Sequence, residues 1–328
     1  MNKEHFGIDV SKNKLDLCWL RDRESRKLKS KVFSNSPEGI EELCVWVSRH
    51  TGESAHNCVF VLESTGVYHE LVAYTLHGLG AQVRMTQPQQ FHHFIASFGV
   101  RSKTDKRDSS LLAQYGADGN GRAWQPEPVE IRHLKKLLGR LEALDQDIQR
   151  EQNRLEAAEI GKYSEVVVES IQRILAALGA EKARLEKDIN DHIDGHPNLK
   201  KDASLLKSIP GIGQVLSSYL LSVLRSREFN SAREGAAYLG LTPVEKQSGS
   251  SVRGRPRLSK AGNATVRAKL YMAAVVAIQH NPDAKALYQR LLNRGKAKMS
   301  ALGAVMRKLV HISFGVLKHS KEYCPQTN

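Results

Sequence analysis

The chain has 328 residues, of which 41% are hydrophobic and 26% charged, so it can bury ordinary cores in two or three domains. Its formal net charge is +14, and residues 201–328 hold the whole excess, with 21 Lys and Arg against 6 Asp and Glu. Such a basic segment favours nucleic acid over acidic lipid as the partner, because no lipid anchor accompanies it. The cysteines form no Cys-x-x-Cys pair, no secretory signal opens the chain and no apolar run approaches a membrane span, so we expect a cytoplasmic protein with reduced cysteines.

The first 125 residues alternate strand and helix signals. Segment 6–10 predicts a strand, and 14–20 alternates with the period of two expected of its hairpin partner. The nearly continuous apolar run 57–63 predicts a central buried strand. Further elements are predicted as a helix that starts at Ser36 and covers 40–48, a helix after 64–66, a strand over 81–85, and a helix over 105–116 capped by Thr104. This α/β order, with its antiparallel opening, is typical of the ribonuclease-H-like fold.

Residues 126–200 change character. Leucine, isoleucine and valine recur there with three-four spacing in two runs, which are separated at Gly161. The apolar positions are 134, 137, 141, 144, 148 and 155 in the first run, and 168, 171, 175, 178, 185, 189 and 193 in the second. The pattern predicts two long helices in a coiled coil, formed either as a hairpin within one chain or against another subunit.

The segment 201–328 is predicted to be mainly α-helical. Ile209-Pro-Gly-Ile-Gly lies between apolar helices predicted at 204–209 and 214–224, which fits a helix-hairpin-helix. Gly211 and Gly213 would form the turn, whose backbone N–H groups at a helix N-terminus can bind phosphate. A purely structural glycine turn is the alternative.

Four acids stand where strands end or a helix begins. Asp9 lies inside an apolar strand and Glu63 ends another, while Asp105 and Asp108 share one face of a predicted helix. If the strands are neighbours and the helix packs over them, the four carboxylates converge and need a cation to neutralise them. Hard oxygen ligands of this kind suit Mg²⁺ or Mn²⁺, and two such ions could hold a scissile phosphate. Taken singly, each acid also fits an ordinary role, as a helix-start charge, a strand-end solubiliser or a turn former.

A competing interpretation concerns the first strand. Gly7-Ile-Asp-Val-Ser also resembles the first phosphate loop of actin-like sugar kinases. Such enzymes need further glycine-rich turns after strands, which we do not find in the sequence, and they have no use for a basic C-terminal third. The kinase interpretation is therefore weak.

The segment 247–260 concentrates hydroxyls, glycines and cations. A serine that attacks a phosphodiester needs a mobile approach, a way to lose its proton, and cations on the phosphate. The candidate nucleophiles are Ser248, Ser250 and Ser251, and the candidate phosphate ligands are Arg253, Arg255, Arg257 and Lys260. A phosphoserine linkage would conserve the bond energy, so strands could be rejoined without ATP. Residue types alone favour the alternative, a flexible phosphate-binding loop without covalent chemistry.

Seven segments together resemble one family, the insertion-sequence-110 type of transposases, which includes the relatives of the Piv DNA invertase. In family order along the chain they are Gly7-Ile-Asp-Val-Ser-Lys, Glu63-Ser-Thr-Gly, Lys103-Thr-Asp-Lys-Arg-Asp-Ser, Ser208-Ile-Pro-Gly-Ile-Gly, Leu239-Gly-Leu-Thr-Pro, Ser248-Gly-Ser-Ser-Val-Arg-Gly and Leu258-Ser-Lys-Ala-Gly-Asn. The combination is highly specific, although each segment alone is not.

The resemblance implies a RuvC-like catalytic domain over 1–125, a coiled-coil linker over 126–200 and a C-terminal transposase domain over 201–328. The family's acidic tetrad falls on Asp9, Glu63, Asp105 and Asp108, and its catalytic serine falls on Ser248, with Ser250 and Ser251 as alternative registers. The resemblance also implies dimers that pair into tetramers, with each active site shared between subunits. A bridge or seeker RNA that pairs with donor and target DNA completes the implied assembly.

The sequence therefore predicts a transposase or site-specific recombinase that excises and inserts a mobile element by Mg²⁺-assisted serine attack, guided by a non-coding RNA. Two alternatives stay open. A RuvC-like junction resolvase or nuclease would use the same acids but cut with water, and a non-enzymatic nucleic-acid-binding protein would use neither acids nor serine.

Overall fold

The computed structural model describes residues 3–64, 66–98, 104–245, 247–248, 252–253 and 257–325. The chain divides into two compact units, Met1–Pro126 and Glu127–Asn328, called unit 1 and unit 2 below. Unit 1 is a mixed α/β layer, and unit 2 is mainly α-helical. The predicted fold class is confirmed at this level, and the predicted division into domains at 1–125, 126–200 and 201–328 stays a prediction.

Unit 1 contains a six-stranded sheet with the order β3-β2-β1-β4-β5-β6. Its strands are β1 Glu4–Val10, β2 Lys14–Asp22, β3 Lys27–Ser34, β4 Cys58–Glu63, β5 Gln82–Thr86 and β6 Arg122–Ala123. β1, β2 and β3 form an antiparallel meander, β4 and β5 run parallel to β1, and β6 is antiparallel to β5. The antiparallel opening and the central position of β4 are confirmed.

Helices cover both faces of this sheet. They are α1 Pro37–Thr51, α2 Glu70–Gly78, α3 Pro88–Ser97 and α4 Asp105–Ala117. On one face, apolar side chains of β1, β2 and β4 form a core with α1 and α2, including Phe6, Ile8, Leu15, Leu17, Phe60, Leu62, Ile40, Leu43, Val72 and Leu76. On the other face, the residues Val59, Val61, Phe91, Leu111, Leu112 and Tyr115 form a second core with α3 and α4. Burying both faces explains why β4 is a continuous apolar run.

α4 lies against β1 at a glycine. A Cβ atom on Gly7 would be 2.1 Å from the carbonyl oxygen of Ser109 and 2.3 Å from the nitrogen of Ala113. The backbones of strand and helix are therefore in direct contact, which only glycine permits at this position. The contact fixes the first turn of α4 close to the end of β1.

Three of these elements of unit 1 were not predicted. They are the strand Lys27–Ser34, where most side chains are exposed, the short strand Arg122–Ala123 and the helix Pro88–Ser97. The predicted N-cap positions Ser36 and Thr104 do precede α1 and α4. The Ser36 side chain accepts a hydrogen bond from the N–H of Gly39, whereas the Thr104 side chain makes no capping bond.

Unit 2 begins with a helical hairpin. α5 spans Val129–Ile160 and α6 spans Glu165–Asp194, with Gly161 at the C-terminal end of α5 as predicted. The helices are antiparallel, since the N–H of the His192 ring donates to the Glu130 carbonyl oxygen at 2.8 Å and Lys182 Nζ lies 2.7 Å from Asp145 Oδ1. The two helices pair as a hairpin in this chain, and the predicted coiled coil, within one chain or between subunits, stays a prediction.

The rest of unit 2 packs six helices around one core. They are α7 Pro197–Lys207, α8 Gln214–Leu224, α9 Ala232–Tyr238, α10 Ala264–His280, α11 Pro282–Asn293 and α12 Lys298–His319. The core joins apolar residues of these helices with the base of the α5–α6 hairpin, among them Leu134, Leu141, Ile189, Leu206, Leu220, Leu270, Ala274, Val305 and Leu309.

α12 corrects one prediction. It is long and apolar enough to cross a membrane by length and composition, a run that the sequence analysis overlooked. Within unit 2, 56% of its apolar window is buried, and Leu302, Val305 and Leu309 belong to the core. α12 is therefore a helix of the unit 2 core.

Replacing Gly7 with alanine should destabilise unit 1 by about 3 kcal/mol, because the new Cβ must push α4 away from β1. The three tryptophans all lie in unit 1, so their fluorescence during urea unfolding reports on this unit. Gly78→Ala is the matched control, since a Cβ there meets nothing within 4 Å. Equal midpoints for the two variants would contradict the proposed close packing.

Candidate active site

Three elements of unit 1 bring the predicted acids to one edge of the sheet. β1 and β4 are parallel neighbours, with Ile8 beside Leu62, so the next residues along, Asp9 and Glu63, are level. Asp105 and Asp108 lie in the first turn of α4, which packs on β1. The condition stated from the sequence, neighbouring strands with the helix over them, is met by the fold.

A fifth acid, Asp16, joins them. It lies on β2 directly opposite Asp9 in the antiparallel pair, so both side chains leave the same face of the sheet. Carboxylate oxygens of Asp9, Asp16 and Asp105 lie within 4.8 Å of one another. Asp16 is only 8% exposed. We call Asp9, Asp16, Glu63, Asp105 and Asp108 the acidic cluster.

Asp16 was not among the predicted site residues, although the sequence carries one signal for it. The predicted hairpin of 6–10 with 14–20 pairs residue 9 with residue 16 once the register is fixed. Asp16 lies between Leu15 and Leu17, which are both buried, and a buried acid needs a partner or a cation. Asp16 is identified by the register of β1 with β2, which places it opposite Asp9, and not by the residue types of β2 alone.

A lysine also lies in the acidic cluster. Lys14 Nζ is 2.6 Å from Asp105 Oδ2 and 3.1 Å from Asp16 Oδ2, so one ammonium bridges carboxylates from β2 and α4. These hydrogen bonds, with Asp105 first, raise the pKa of Lys14. The ammonium offsets part of the negative charge of the cluster.

The pKa of Asp9 reflects the negative charges that surround it. The pKa of Asp9 is raised from 3.8 to about 6, first by burial and then by the negative charges of Asp105, Asp108, Asp16 and Glu63 in that order. Asp108 is itself only 5% exposed. The four predicted acids therefore interact electrostatically, because the negative charges of Glu63, Asp105 and Asp108 each raise the pKa of Asp9.

The donor set fits a divalent cation. The three closest groups are all carboxylates, which are hard oxygen ligands of the kind that Mg²⁺ and Mn²⁺ take. Burial and then the neighbouring negative charges raise the pKa of Asp9, and a bound cation would offset the repulsion among these charges. Among the described residues, the carboxylates of Asp9, Asp16 and Asp105 are close enough together to bind one metal ion.

The predicted phosphate turn belongs to unit 2. It joins α7 to α8, and Gly211 there has a φ of +102° and packs so closely on α10 that a Cβ would be 2.9 Å from the Ala273 carbonyl oxygen. Gly213 is the N-cap residue of α8, and a Cβ atom there would have no neighbour within 4 Å. Lys207 Nζ donates to the Gln214 side chain at 2.9 Å across the turn. Two helices joined by a turn lie at this place, and both the helix-hairpin-helix motif and its phosphate-binding role stay predictions.

The predicted serine segment also belongs to unit 2 and forms short strands. They are β7 Pro243–Val244, β8 Gln247–Ser248, β9 Val252–Arg253 and β10 Arg257–Leu258. β7 pairs with β10, and β8 pairs with β9, both antiparallel, with Ser248 opposite Val252. We call residues 243–258 the serine arm.

The roles of the other candidates of this segment stay predictions. Arg257 is exposed on β10, and Lys260 follows it with a φ of +56°. Ser250, Ser251 and Arg255 lie outside the described residues.

Comparison with known proteins points to one class. Residues 203–289 match the family model described as transposase, IS116/IS110/IS902 family, and residues 6–158 match a second transposase model, of the DEDD type of IS110. The pilin gene-inverting proteins of Moraxella lacunata and Moraxella bovis are 32% and 31% identical to this chain over 325 residues, which is 98% of each chain.

A shorter match is to an uncharacterized 43.6 kDa protein of insertion element IS110 from Streptomyces coelicolor, 29% identical over 48% of this chain and 38% of that protein. Among solved structures, Thermus thermophilus RuvC aligns over 36% of this chain and 98% of its own, with 16% identity and a TM-score of 0.26.

Asp9→Asn should stabilise unit 1 in metal-free buffer above pH 6. Because the folded pKa of Asp9 is about 6 and its ordinary value is 3.8, the unfolded chain loses this proton first. The wild type therefore loses up to about 3 kcal/mol as the pH rises through this window, and the loss is complete above it. The variant lacks that loss, so the two proteins should be equally stable near pH 4 and diverge towards pH 7.

Tryptophan-monitored urea unfolding at a series of pH values, with EDTA present, measures this difference. Asp22→Asn is the control, because hydrogen bonds, first from the Ser25 side chain, lower the pKa of Asp22, so its removal should not stabilise. A stability gap for Asp9→Asn that does not change between pH 4 and pH 7 would contradict the charge crowding.

Proposed function

Because this chain belongs to the IS116/IS110/IS902 family of transposases, we propose that it recombines DNA by serine attack on phosphodiester bonds, with divalent cations held by its acidic cluster. The observation that supports this most is the convergence of carboxylates from β1, β2 and α4 at one edge of the sheet. Similarity along the full chain to two pilin gene-inverting proteins supports DNA rearrangement as the outcome. One strand-exchange reaction can serve inversion as well as excision and insertion of a mobile element.

Asp9, Asp16 and Asp105 would hold the cation, with Glu63 and Asp108 beside them. A bound Mg²⁺ or Mn²⁺ stabilises the negative charge that develops on the phosphate. Asp9, whose pKa is about 6, is ionised above that pH and is then ready to act as a ligand. Asp16 extends the tetrad expected from the sequence to five carboxylates.

Ser248 is the proposed nucleophile. Its Oγ forms a bond to phosphorus while the bond from phosphorus to the leaving DNA oxygen breaks, and the serine proton is given up as the leaving oxygen takes one up. The phosphoserine linkage keeps the energy of the broken bond, so a hydroxyl of a second strand can reverse the step. Arg253, Arg255, Arg257 and Lys260 are the proposed phosphate ligands around it, and Gly211 and Gly213 form a second proposed contact with the DNA backbone.

The proposed partners are donor DNA, target DNA and a structured bridge RNA. The excess of Lys and Arg over residues 201–328 supports a polyanionic partner for unit 2. A second copy of the chain, in a dimer that pairs into a tetramer, is proposed as well. Exposed apolar side chains near the tip of the α5–α6 hairpin, at Ile160, Val166 and Val167, support such an association. We expect these complexes to form in the cytoplasm.

Hydrolysis is the second candidate reaction. The acidic cluster lies wholly within unit 1, so a RuvC-like resolvase could cut with water and make no use of the serine arm. The two reactions differ in one product, because only serine attack leaves DNA covalently bound to protein.

Asp105→Asn and Ser248→Ala should each lower strand cleavage and joining by at least about 100-fold, since one removes a cation ligand and the other the attacking oxygen. Denaturing gels with labelled donor DNA measure both the joined product and the protein–DNA adduct. Asp118→Asn, at the far end of α4, should keep wild-type rates.

Ser250→Ala and Ser251→Ala test the choice of nucleophile in the same assay, and both should retain the adduct. Cleavage by Ser248→Ala at the wild-type rate, without an adduct in either protein, would favour the water reaction. Full activity of Asp105→Asn would remove Asp105 from the catalytic group.

Purified protein should retain a discrete RNA, because a guide must remain bound through strand exchange. Sequencing of the RNA that co-purifies measures this, and its loops should be complementary to the donor and target sites. RNA of random cellular sequence, released by moderate salt, would contradict guided recognition and leave general backbone binding.

A further inference from the structure

The two ends of the serine arm are held together at its base. On one side the chain enters through 239–242, and on the other it leaves through 259–263. The N–H of Ser259 donates to the Thr242 carbonyl oxygen at 2.9 Å, and the N–H of Lys260 donates to the Gly240 carbonyl oxygen at 3.2 Å. These bonds continue the pairing of β7 with β10 below the arm.

Two glycines allow the strands of this base to touch. Gly240 has a φ of +71°, and a Cβ there would lie 2.0 Å from the Ala261 carbonyl oxygen. Gly262 has a φ of +82°, and its Cβ would lie 2.2 Å from the Tyr238 carbonyl oxygen. Any side chain at either position would separate the two ends of the arm.

One cation joins the two ends. Arg267 projects from the first turn of α10, and its Nη1 lies within hydrogen-bonding distance of four backbone carbonyl oxygens. These are Leu239 at 3.4 Å on the entering side, and Ala261, Gly262 and Asn263 at 2.9, 2.9 and 3.3 Å on the leaving side. A single ionised donor shared by both sides is a charge-assisted contact.

An ordinary helix-capping role does not account for this arrangement. Asn263 already caps α10, because its side chain accepts from the N–H of Val266 at 3.1 Å. Arg267 also reaches Leu239, which belongs to the end of α9 and not to α10. Its position therefore serves the base of the arm.

We propose that Arg267 is the positioning residue of the serine arm, which it orients by clamping the entering and leaving chains at the base. The proposal rests on the proposed function, in which Ser248 must meet a phosphate. It also gives a role to two segments singled out in the sequence, Leu239-Gly-Leu-Thr-Pro and Leu258-Ser-Lys-Ala-Gly-Asn, because they form the two sides of this clamp.

A small rotation at the base of the serine arm would move Ser248 by several ångströms. Thr242 and Ser248 lie six positions apart in the sequence, so at most about 20 Å can separate them. Rotation of the base by about 10° would then move the serine by about 3 Å, which is as large as the distance at which reacting atoms must be held. Loose anchoring would thus lower the rate of attack without removing any group that touches DNA.

Arg267→Met tests the clamp, since it keeps the length of the side chain but removes the cation. Hydrogen–deuterium exchange of the Ser259 and Lys260 amides should become at least tenfold faster, while adduct formation at saturating DNA slows at least tenfold and DNA affinity stays unchanged. Arg267→Lys should restore most of both, because all four contacts involve one nitrogen that an ammonium can replace. Lys269→Met is the matched control, as its Nζ lies over the Tyr219 ring and away from the arm.

The outcomes separate this proposal from the serine chemistry. Unchanged amide exchange in Arg267→Met overturns the clamp, and so does an unchanged adduct rate when the wild type forms adduct. A wild type that forms no adduct contradicts the serine nucleophile, and the exchange measurement still decides the clamp. If Arg267→Met does not fold, Arg267→Gln, which keeps a neutral donor on a shorter side chain, is measured in its place, and unchanged amide exchange or an unchanged adduct rate in that variant overturns the clamp.

Discussion

The direct contact of a helix backbone with a strand backbone determines where the chemistry of unit 1 can lie. α4 approaches β1 so closely only because Gly7 has no side chain. That approach sets the first turn of α4 above the ends of β1 and β2. Asp105 then lies within reach of Asp9 and Asp16, although about 90 residues separate them along the chain. A wider separation would remove Asp105 and Asp108 from the acids that β1, β2 and β4 hold together.

Bringing these acids together has an electrostatic cost that the fold partly offsets. Burial and four neighbouring carboxylates oppose the ionisation of Asp9. The fold tolerates this because the cluster sits at the edge of the sheet, and because Lys14 provides one positive charge. A site built this way stores unfavourable energy in its cation-free form, which is why it suits a divalent ion.

The sequence predicted the parts of the site whose signals are local. β1 and β4 follow from apolar runs, the start of α4 from Thr104, and the acids from their places at strand ends and a helix start. β3 was missed because its side chains are mostly exposed and polar. Asp16 and Lys14 were missed because their importance depends on strand register and on a helix distant in sequence. The contact of Arg267 with both ends of the arm likewise depends on tertiary packing.

The lysine in the cluster has a consequence for how the site would be loaded. Lys14 already bonds two of the carboxylates that an incoming divalent ion would need, so the ion would have to displace the ammonium from them. The displaced ammonium stays tethered at the rim, on a flexible stem, where an arriving phosphodiester would be its next counter-ion. Lys14 would thus bridge two carboxylates of the cation-free site and, once displaced, contact the phosphate of the proposed DNA substrate.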